Sequence, residues 1–81
     1  MNVTWEFSLC DKGLERVQVM RSSVVVFEGS IPTGYTMHLA VGDSVCRWDS
    51  TNRKWKRKFR LEMFNGKPAV CYADGRKVPL A

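Results

Sequence analysis

The sequence lacks the features that mark helical, secreted and membrane-spanning proteins. No stretch of ten or more residues shows helical periodicity. No apolar run approaches the ~20 residues that a transmembrane helix requires, and no basic region precedes an apolar segment at the N-terminus, as it would in a signal peptide. We therefore expect a cytoplasmic protein without a membrane association.

Cysteine and histidine are too few and too scattered for a disulfide framework or a zinc site. The odd count of three cysteines, with no closely spaced pair, favours a reducing compartment. The single histidine, His38, lies far from each of them, whereas zinc ligands usually occur as closely spaced pairs. We predict no metal and no cofactor. The three cysteines are Cys10, Cys46 and Cys71.

Residue patterns typical of catalysis are also missing from the sequence. Cys–His chemistry would require His38 beside a cysteine and a third, orienting group, and the spacing does not indicate one. Neither a glycine-rich phosphate loop nor a cluster of metal-ligating carboxylates occurs. We predict that the protein is not an enzyme.

What the sequence does contain is a localised excess of positive charge. The 81 residues carry a formal net charge of +5 and a pI near 9.5, which favours an acidic partner, either nucleic acid or an acidic protein surface. Seven of the thirteen basic residues lie between Arg47 and Arg60, with Asp49 as the one acid among them. The rest of the chain is close to neutral.

Residues 54–63 alternate in chemical type with a period of two, which is typical of a strand. One set is mostly apolar, with Arg57 as the exception: Trp55, Arg57, Phe59, Leu61 and Met63. The other set is a row of cations at a spacing of about 6.6–7 Å: Lys54, Lys56, Lys58 and Arg60. Such a row suits a phosphate backbone, but it also suits a solvated face that protects a strand from aggregation.

The remaining strands are predicted from short alternating or β-branched runs, at residues 3–9, 15–21, 24–27, 35–41, 44–48, 69–72 and 77–80. Asp11-Lys12-Gly13 predicts a hairpin between the first two runs, and residues 28–34 predict a loop. Asn65-Gly66 and Asp74-Gly75 predict two further hairpins. Whether residues 15–21 and 24–27 form one bent strand or two stays open.

This pattern predicts an all-β protein of roughly six or seven short strands, which favours a small barrel. Residues 1–81 are expected to form a single domain, because neither part of it is large enough to be stable alone. Within it, residues 1–34 would form an N-terminal β-hairpin unit and residues 35–81 a barrel-like unit.

Residues 41–80 carry an ordered series of short motifs: Gly42-Asp43-x-Val45, Trp48-Asp49-Ser50, Trp55-Lys56, Ala69-Val70 and Tyr72-x-Asp74-Gly75. The series resembles SH3-like barrels of the Tudor and retroviral integrase C-terminal type. The resemblance implies a small SH3-like barrel to which residues 1–34 add strands. The integrase likeness implies DNA binding by basic side chains. The Tudor likeness implies a methyl-lysine cage of Trp48, Trp55, Tyr72 and Asp74, which the basic strand disfavours.

Two side chains have alternative interpretations. With Val45 facing inward, alternation points Trp48 outward, where it would stack on a nucleobase; alternatively, the turn folds Trp48 back over the barrel mouth. Arg57 indicates a bulge, a side chain that extends to the end of the barrel, or an ion pair with Asp43 or Asp74. Trp55 is expected in the core.

The first functional hypothesis is a small basic β-barrel that binds DNA or RNA, largely without sequence preference, through its cationic strand. The predicted contact residues are Arg47, Trp48, Arg53, Lys54, Lys56, Lys58 and Arg60. The second hypothesis is a small inhibitor or adaptor of the kind that phages and mobile elements encode. It would bind a host defence or nucleic-acid-processing protein through that protein's acidic surface. The sequence does not indicate an oligomeric state.

Overall fold

The computed structural model describes residues 3–80 and contains only antiparallel strands and their connections. Eight strands follow one another: β1 (Trp5–Ser8), β2 (Leu14–Arg21), β3 (Val24–Pro32), β4 (Thr36–Leu39), β5 (Asp43–Asp49), β6 (Lys54–Phe64), β7 (Lys67–Tyr72) and β8 (Lys77–Pro79). The prediction of an all-β protein is confirmed. Within residues 3–80, no helix has the length and apolar character needed to cross a membrane.

The strands form two sheets that enclose the hydrophobic core. Six strands pair in the order β3-β2-β5-β6-β7-β8, and β1 pairs separately with β4. One face of the six-stranded sheet, here called the core face, carries Val17, Val19, Val45 and Leu61, all almost fully buried. Side chains of β1 and β4 pack against this cluster. Each fully buried aliphatic side chain contributes about 1.5–3 kcal/mol.

Residues 15–21 and 24–27 form two separate strands joined by a two-residue turn. Arg21 pairs with Val24, and Ser22 and Ser23 have φ angles of 50° and 66°. Two left-handed residues between paired strands match a type I′ turn, whose twist suits a hairpin. The sequence showed two serines here rather than the more usual Asn-Gly or Asp-Gly, so the turn type was not evident.

The expected hairpin between the first two strands is wrong. β1 pairs with β4 instead, and the Leu9 N–H extends this ladder by donating to the Tyr35 carbonyl over 3.1 Å. Leu9 and Cys10 are fully buried, so the chain enters the core after β1 before it reaches the turn at Gly13. Burial of these two side chains favours this path over an immediate reversal.

The expected loop at residues 28–34 is also partly wrong, because β3 continues to Pro32. Ile31 pairs with Glu15 and is buried, which keeps the chain extended. β3 lies at the edge of the six-stranded sheet, where a proline removes no necessary hydrogen bond. The connection to β4 is therefore only three residues long, from Thr33 to Tyr35.

The two C-terminal hairpins are confirmed. Asn65 and Gly66 have φ angles of 53° and 76° and join β6 to β7, as a type I′ turn requires. Asp74 and Gly75 lie in the connection from β7 to β8, where Asp74 Oδ1 accepts a 2.9 Å hydrogen bond from the Arg76 N–H. In both turns the residues of the turn itself account for the backbone shape.

A β-bulge in β6 decides which of its side chains face outward. Val45 pairs with Phe59, but the next residue, Cys46, pairs with Arg57. Lys58 is therefore the extra residue, and the alternation of faces reverses across it. The bulge interpretation of Arg57 is confirmed: Arg57 lies on the outer face, whereas Phe59 lies on the core face.

The bulge also divides the expected row of cations. Lys54 and Lys56 pair with Asp49 and Arg47, on the core-face side of the sheet. Arg60 pairs with Ser44 and lies on the outer face. The expectation that Lys54, Lys56, Lys58 and Arg60 share one face is wrong, because strict alternation ends at the bulge.

An ion pair between the exposed Arg21 and the fully buried Asp43 joins β2 to the start of β5. Asp43 has no solvent exposure, and its carboxylate accepts hydrogen bonds from Arg21 Nε at 2.7 Å, Arg21 Nη2 at 3.0 Å and the Ala40 N–H at 2.9 Å. Burial acts to raise the pKa of Asp43, but these hydrogen bonds and the Arg21 charge outweigh it, so the pKa is lowered. The carboxylate is held ionised in the fold.

Replacing this carboxylate, as Asp43→Asn, should lower the free energy of unfolding by about 1.5–3 kcal/mol at neutral pH, because it removes charge-assisted hydrogen bonds. The folded pKa of Asp43 lies below its unfolded value of about 3.9. The ionised form therefore stabilises the fold above that value, and the contribution is lost as pH falls through the folded pKa. The difference in the free energy of unfolding between wild type and Asp43→Asn should therefore become smaller as the pH is lowered.

Urea unfolding near pH 7 and near pH 3 measures this effect. Asp11→Asn makes the same chemical change at an exposed position and serves as the control. If the difference in the free energy of unfolding between wild type and Asp43→Asn is the same at both pH values, the charge of Asp43 does not contribute to stability.

Candidate nucleic-acid interface

The turn that joins β5 to β6 is organised by Asp49. Its Oδ1 accepts hydrogen bonds from the Thr51 and Asn52 N–H groups at 3.1 and 3.3 Å, and Asn52 Nδ2 donates to Oδ2 at 2.8 Å. The side-chain hydrogen bond from Asn52 is the main cause of the lowered pKa of Asp49, and it outweighs the effect of burial. The one acid in the basic segment therefore holds the turn together.

The end of this hairpin, residues 47–56, is called the hairpin tip. Arg47, Arg53 and Lys54 are exposed there, and none of them has a carboxylate within 4.0 Å among residues 3–80. Lys56 Nζ lies 3.9 Å from Asp49 Oδ2. Four cations thus surround one engaged acid, which gives the tip a positive field.

An aromatic pair lies on the outer face of the same hairpin. Trp48 and Trp55 are opposite each other in the register, and their rings meet edge to face with centroids 5.3 Å apart. Both are half-buried. Of the two alternatives left open for Trp48, the structure has the outward placement. The core placement predicted for Trp55 is wrong, because the bulge at Lys58 puts Trp55 on the outer face.

Arg16 of β2 completes the cluster around the tryptophan pair. Its guanidinium carbon lies 5.6 Å from the Trp48 ring centroid and 5.5 Å from that of Trp55, within cation–π range. Arg16 Nη2 also donates to Glu28 at 3.0 Å. The hydrogen bond from Gln18, and then that from Arg16, lowers the pKa of Glu28. Arg16 was missed in the sequence because only the pairing of β2 with β5 brings it to the tryptophans.

Lys58 is directed away from the hairpin tip. Its Nζ donates to the Leu9 carbonyl at 3.0 Å and lies 3.5 Å from Glu15 Oε2, and its side chain is 19% exposed. This lysine fastens β6 to the segment between β1 and β2. Arg60 lies beyond the bulge on the outer face, with Nε 2.9 Å from Glu62 Oε1.

Five of the seven predicted contact residues therefore share the hairpin tip: Arg47, Trp48, Arg53, Lys54 and Lys56. Lys58 and Arg60 lie elsewhere, and Trp55 and Arg16 join the cluster. Arg47, Lys54 and Lys56 project from the core-face side of the tip and the tryptophan pair from its outer face. A nucleic-acid strand that contacts both sets therefore passes around the end of the hairpin, where Arg53 lies in the turn.

The methyl-lysine cage implied by the Tudor likeness does not assemble. Tyr72 lies on the core face, with its ring centroid 6.1 Å from that of Phe59. Asp74 lies in the turn after β7, where it pairs with Arg76. Trp48 and Trp55 are on the opposite face of the sheet. These four residues do not surround one site.

The chain matches no protein-family model, no curated protein sequence and no solved structure in the comparisons made with them. Within residues 3–80, no group of three or more His, Cys, Asp or Glu side chains is placed to hold a metal ion. The candidate interface therefore rests on its own geometry.

The placement of Lys58 predicts a structural effect. Lys58→Met should lower the free energy of unfolding by about 1.5–3 kcal/mol, because it removes a hydrogen bond from a charged donor and leaves the Leu9 carbonyl without it. The exposed Lys54→Met should change stability by less than about 0.5 kcal/mol. Urea unfolding of both variants measures the difference, and equal effects would contradict the fastening role of Lys58.

Proposed function

We propose that the protein is a non-enzymatic binder of nucleic acid, largely independent of sequence, that acts through the hairpin tip. The observation that carries this proposal is the location of three cations without acidic partners on the hairpin that also carries the Trp48–Trp55 pair. Cations alone are common on exposed strands. A hairpin end that carries both unpaired cations and a half-exposed aromatic pair combines the two kinds of group that single-strand binders use.

Each part of the tip has a distinct role in this proposal. Arg47, Arg53 and Lys54 neutralise backbone phosphates and release their counterions. The half-exposed rings of Trp48 and Trp55 stack on bases, which contributes about 1–3 kcal/mol per base. Arg16 holds both rings in place through its contacts with their faces and with Glu28. None of these contacts reads base edges, so little sequence preference is expected.

The fold and cellular setting form part of the proposal. The motif order in residues 41–80, together with the consecutive antiparallel pairing of β5, β6, β7 and β8, supports an SH3-like barrel extended by the N-terminal strands. The scattered cysteines, none of which forms a disulfide within residues 3–80, support a cytoplasmic location.

A second candidate function is inhibition of another protein by direct contact. One observation favours it: Val24, Val25 and Val26 are exposed on β3, the edge strand of the six-stranded sheet. An apolar edge with free backbone groups can accept a strand from a partner protein. In that case the hairpin tip would contact acidic side chains of the same partner.

The charges of the hairpin tip provide the first test. Wild-type protein should bind labelled single-stranded DNA or RNA with micromolar or tighter affinity at about 50 mM salt, and much more weakly at about 200 mM. The double variant Arg53→Glu/Lys54→Glu should weaken binding at least about tenfold. It should also reduce the slope of log affinity against log salt concentration by about 1.4, because two phosphate contacts with a single strand are lost.

Lys67→Glu/Lys77→Glu is the matched control, because it makes the same change in net charge on β7 and β8, away from the tip. Fluorescence anisotropy measures all three proteins. If both double variants lose the same affinity for the oligonucleotide, the interface is not localised at the hairpin tip. If the wild-type protein does not bind at low salt, the protein-contact function is favoured instead.

The tryptophan pair provides a second test. Trp48→Leu should weaken binding to single-stranded oligonucleotides by about fivefold to a hundredfold, the equivalent of one stacked base. The dependence of affinity on salt should stay unchanged, because no phosphate contact is removed. Phe64→Leu, at an exposed aromatic residue near the β6–β7 turn, is the control. A changed salt slope in Trp48→Leu would contradict a stacking role.

A further inference from the structure

The bulge in β6 places two arginines side by side on the outer face. Arg57 pairs with Cys46 and Arg60 pairs with Ser44, and Ser44 and Cys46 are consecutive outward positions of β5. Because Lys58 is the extra residue, Arg57 and Arg60 become consecutive outward positions of β6, about 7 Å apart along the strand. Without the bulge they would face opposite sides.

The β2–β3 turn adds hydroxyl groups to this pair of arginines. A pocket of about 270 Å³ lies between the turn and the outer face of β5 and β6. It is lined by groups from three parts of the chain, among them Ser22, Ser23, Ser44, Arg57, Arg60 and Glu62. The left-handed φ angles of the two turn serines shape the wall opposite the arginines.

The two arginines of this pocket differ in how far their charge is already paired. Arg60 Nε is buried and makes no hydrogen bond within the described chain; Glu62 Oε1 lies 2.9 Å away, outside hydrogen-bond geometry. Arg57 has no carboxylate within 4.0 Å in residues 3–80. The charge of Arg60 is thus paired with Glu62, whereas the guanidinium of Arg57 is exposed and is available to an acceptor from outside the chain.

The chemistry of the pocket selects the kind of acceptor. Two guanidinium groups and three hydroxyls offer more donors than the two free oxygens of an internal phosphodiester can accept. A phosphate monoester presents three such oxygens and a charge of about −1.5 to −2 at neutral pH. Paired guanidiniums bind this group through short, charge-assisted hydrogen bonds. The single carboxylate, Glu62, leaves the pocket with a net positive charge.

We propose that this pocket binds the terminal phosphate of a nucleic-acid strand, an inference that rests on the proposed nucleic-acid binding. Trp55 and Arg57 are consecutive outward positions of β6 on the same side of the bulge, about 7 Å apart. A base that stacks on the tryptophan pair and a phosphate in the pocket therefore belong to the same short stretch of strand. The protein then binds phosphorylated ends in preference to internal positions.

The test compares one short single-stranded oligonucleotide in three forms: with a 5′-phosphate, with a 3′-phosphate, and with hydroxyls at both ends. Each carries its fluorophore away from the phosphate under test. One phosphorylated form should bind at least about tenfold more tightly than the hydroxyl form at equal salt. Arg57→Gln should abolish this ratio, and Arg57→Lys, which keeps the charge but not the planar fork, should restore it only in part.

Arg53→Gln, at the hairpin tip, is the matched control. It should weaken all three oligonucleotides equally and leave the ratio unchanged. Equal binding of all three forms by wild type would overturn the terminal-phosphate pocket while the proposed function stands. If Arg57→Gln still binds a phosphorylated form more tightly than the hydroxyl form by the wild-type ratio, the terminal-phosphate pocket is also overturned. Absence of binding to all forms at low salt would overturn both proposals.

Discussion

The β-bulge at Lys58 is the constraint on which the arrangement of side chains depends. β6 must place Phe59 and Leu61 in the core, and the buried Leu61 leaves no freedom in the C-terminal half of the strand. The extra residue then reverses the faces of the N-terminal half, so Trp55 and Arg57 lie outward. Lys58 itself, held by the Leu9 carbonyl, fixes the irregularity. A bulge of this kind redirects side chains without interrupting the sheet.

The sequence was a reliable guide where structure is determined by neighbouring residues. The Asn65-Gly66 and Asp74-Gly75 turns formed as expected, because Asn65, Gly66 and Gly75 suit a left-handed backbone and the Asp74 side chain accepts a hydrogen bond within its own turn. Pairing between distant strands was not predictable in the same way. β1 pairs with β4, and β2 with β5, because these pairings bury residues such as Leu9 and Val45 in a common core. The residue pattern within one strand does not specify which distant strand it pairs with.

The candidate site was predicted in part for the same reason. Charge density located the hairpin tip, because Arg53 and Lys54 lie in and beside its turn regardless of how the sheet is arranged. Charge density along the sequence does not distinguish a cation that is exposed to solvent from one that stabilises the fold. Lys58 stabilises the fold, through its contacts with the Leu9 carbonyl and Glu15. Arg57, the residue that broke the alternation, was the one sequence signal for the bulge. Its neighbours on the outer face come from β2 and β5, so the pocket was not visible in the sequence.

The edge-to-face contact of Trp48 and Trp55 has an optical consequence. The chain has three tryptophans, and the third, Trp5, packs against the core from β1. Two indole rings whose centroids are 5.3 Å apart are close enough for their electronic transitions to couple. The Arg16 guanidinium lies next to both rings. The near-ultraviolet circular dichroism of the protein therefore reports the relative orientation of Trp48 and Trp55 at the hairpin tip. The fluorescence of Trp5 reports whether the core around it is folded.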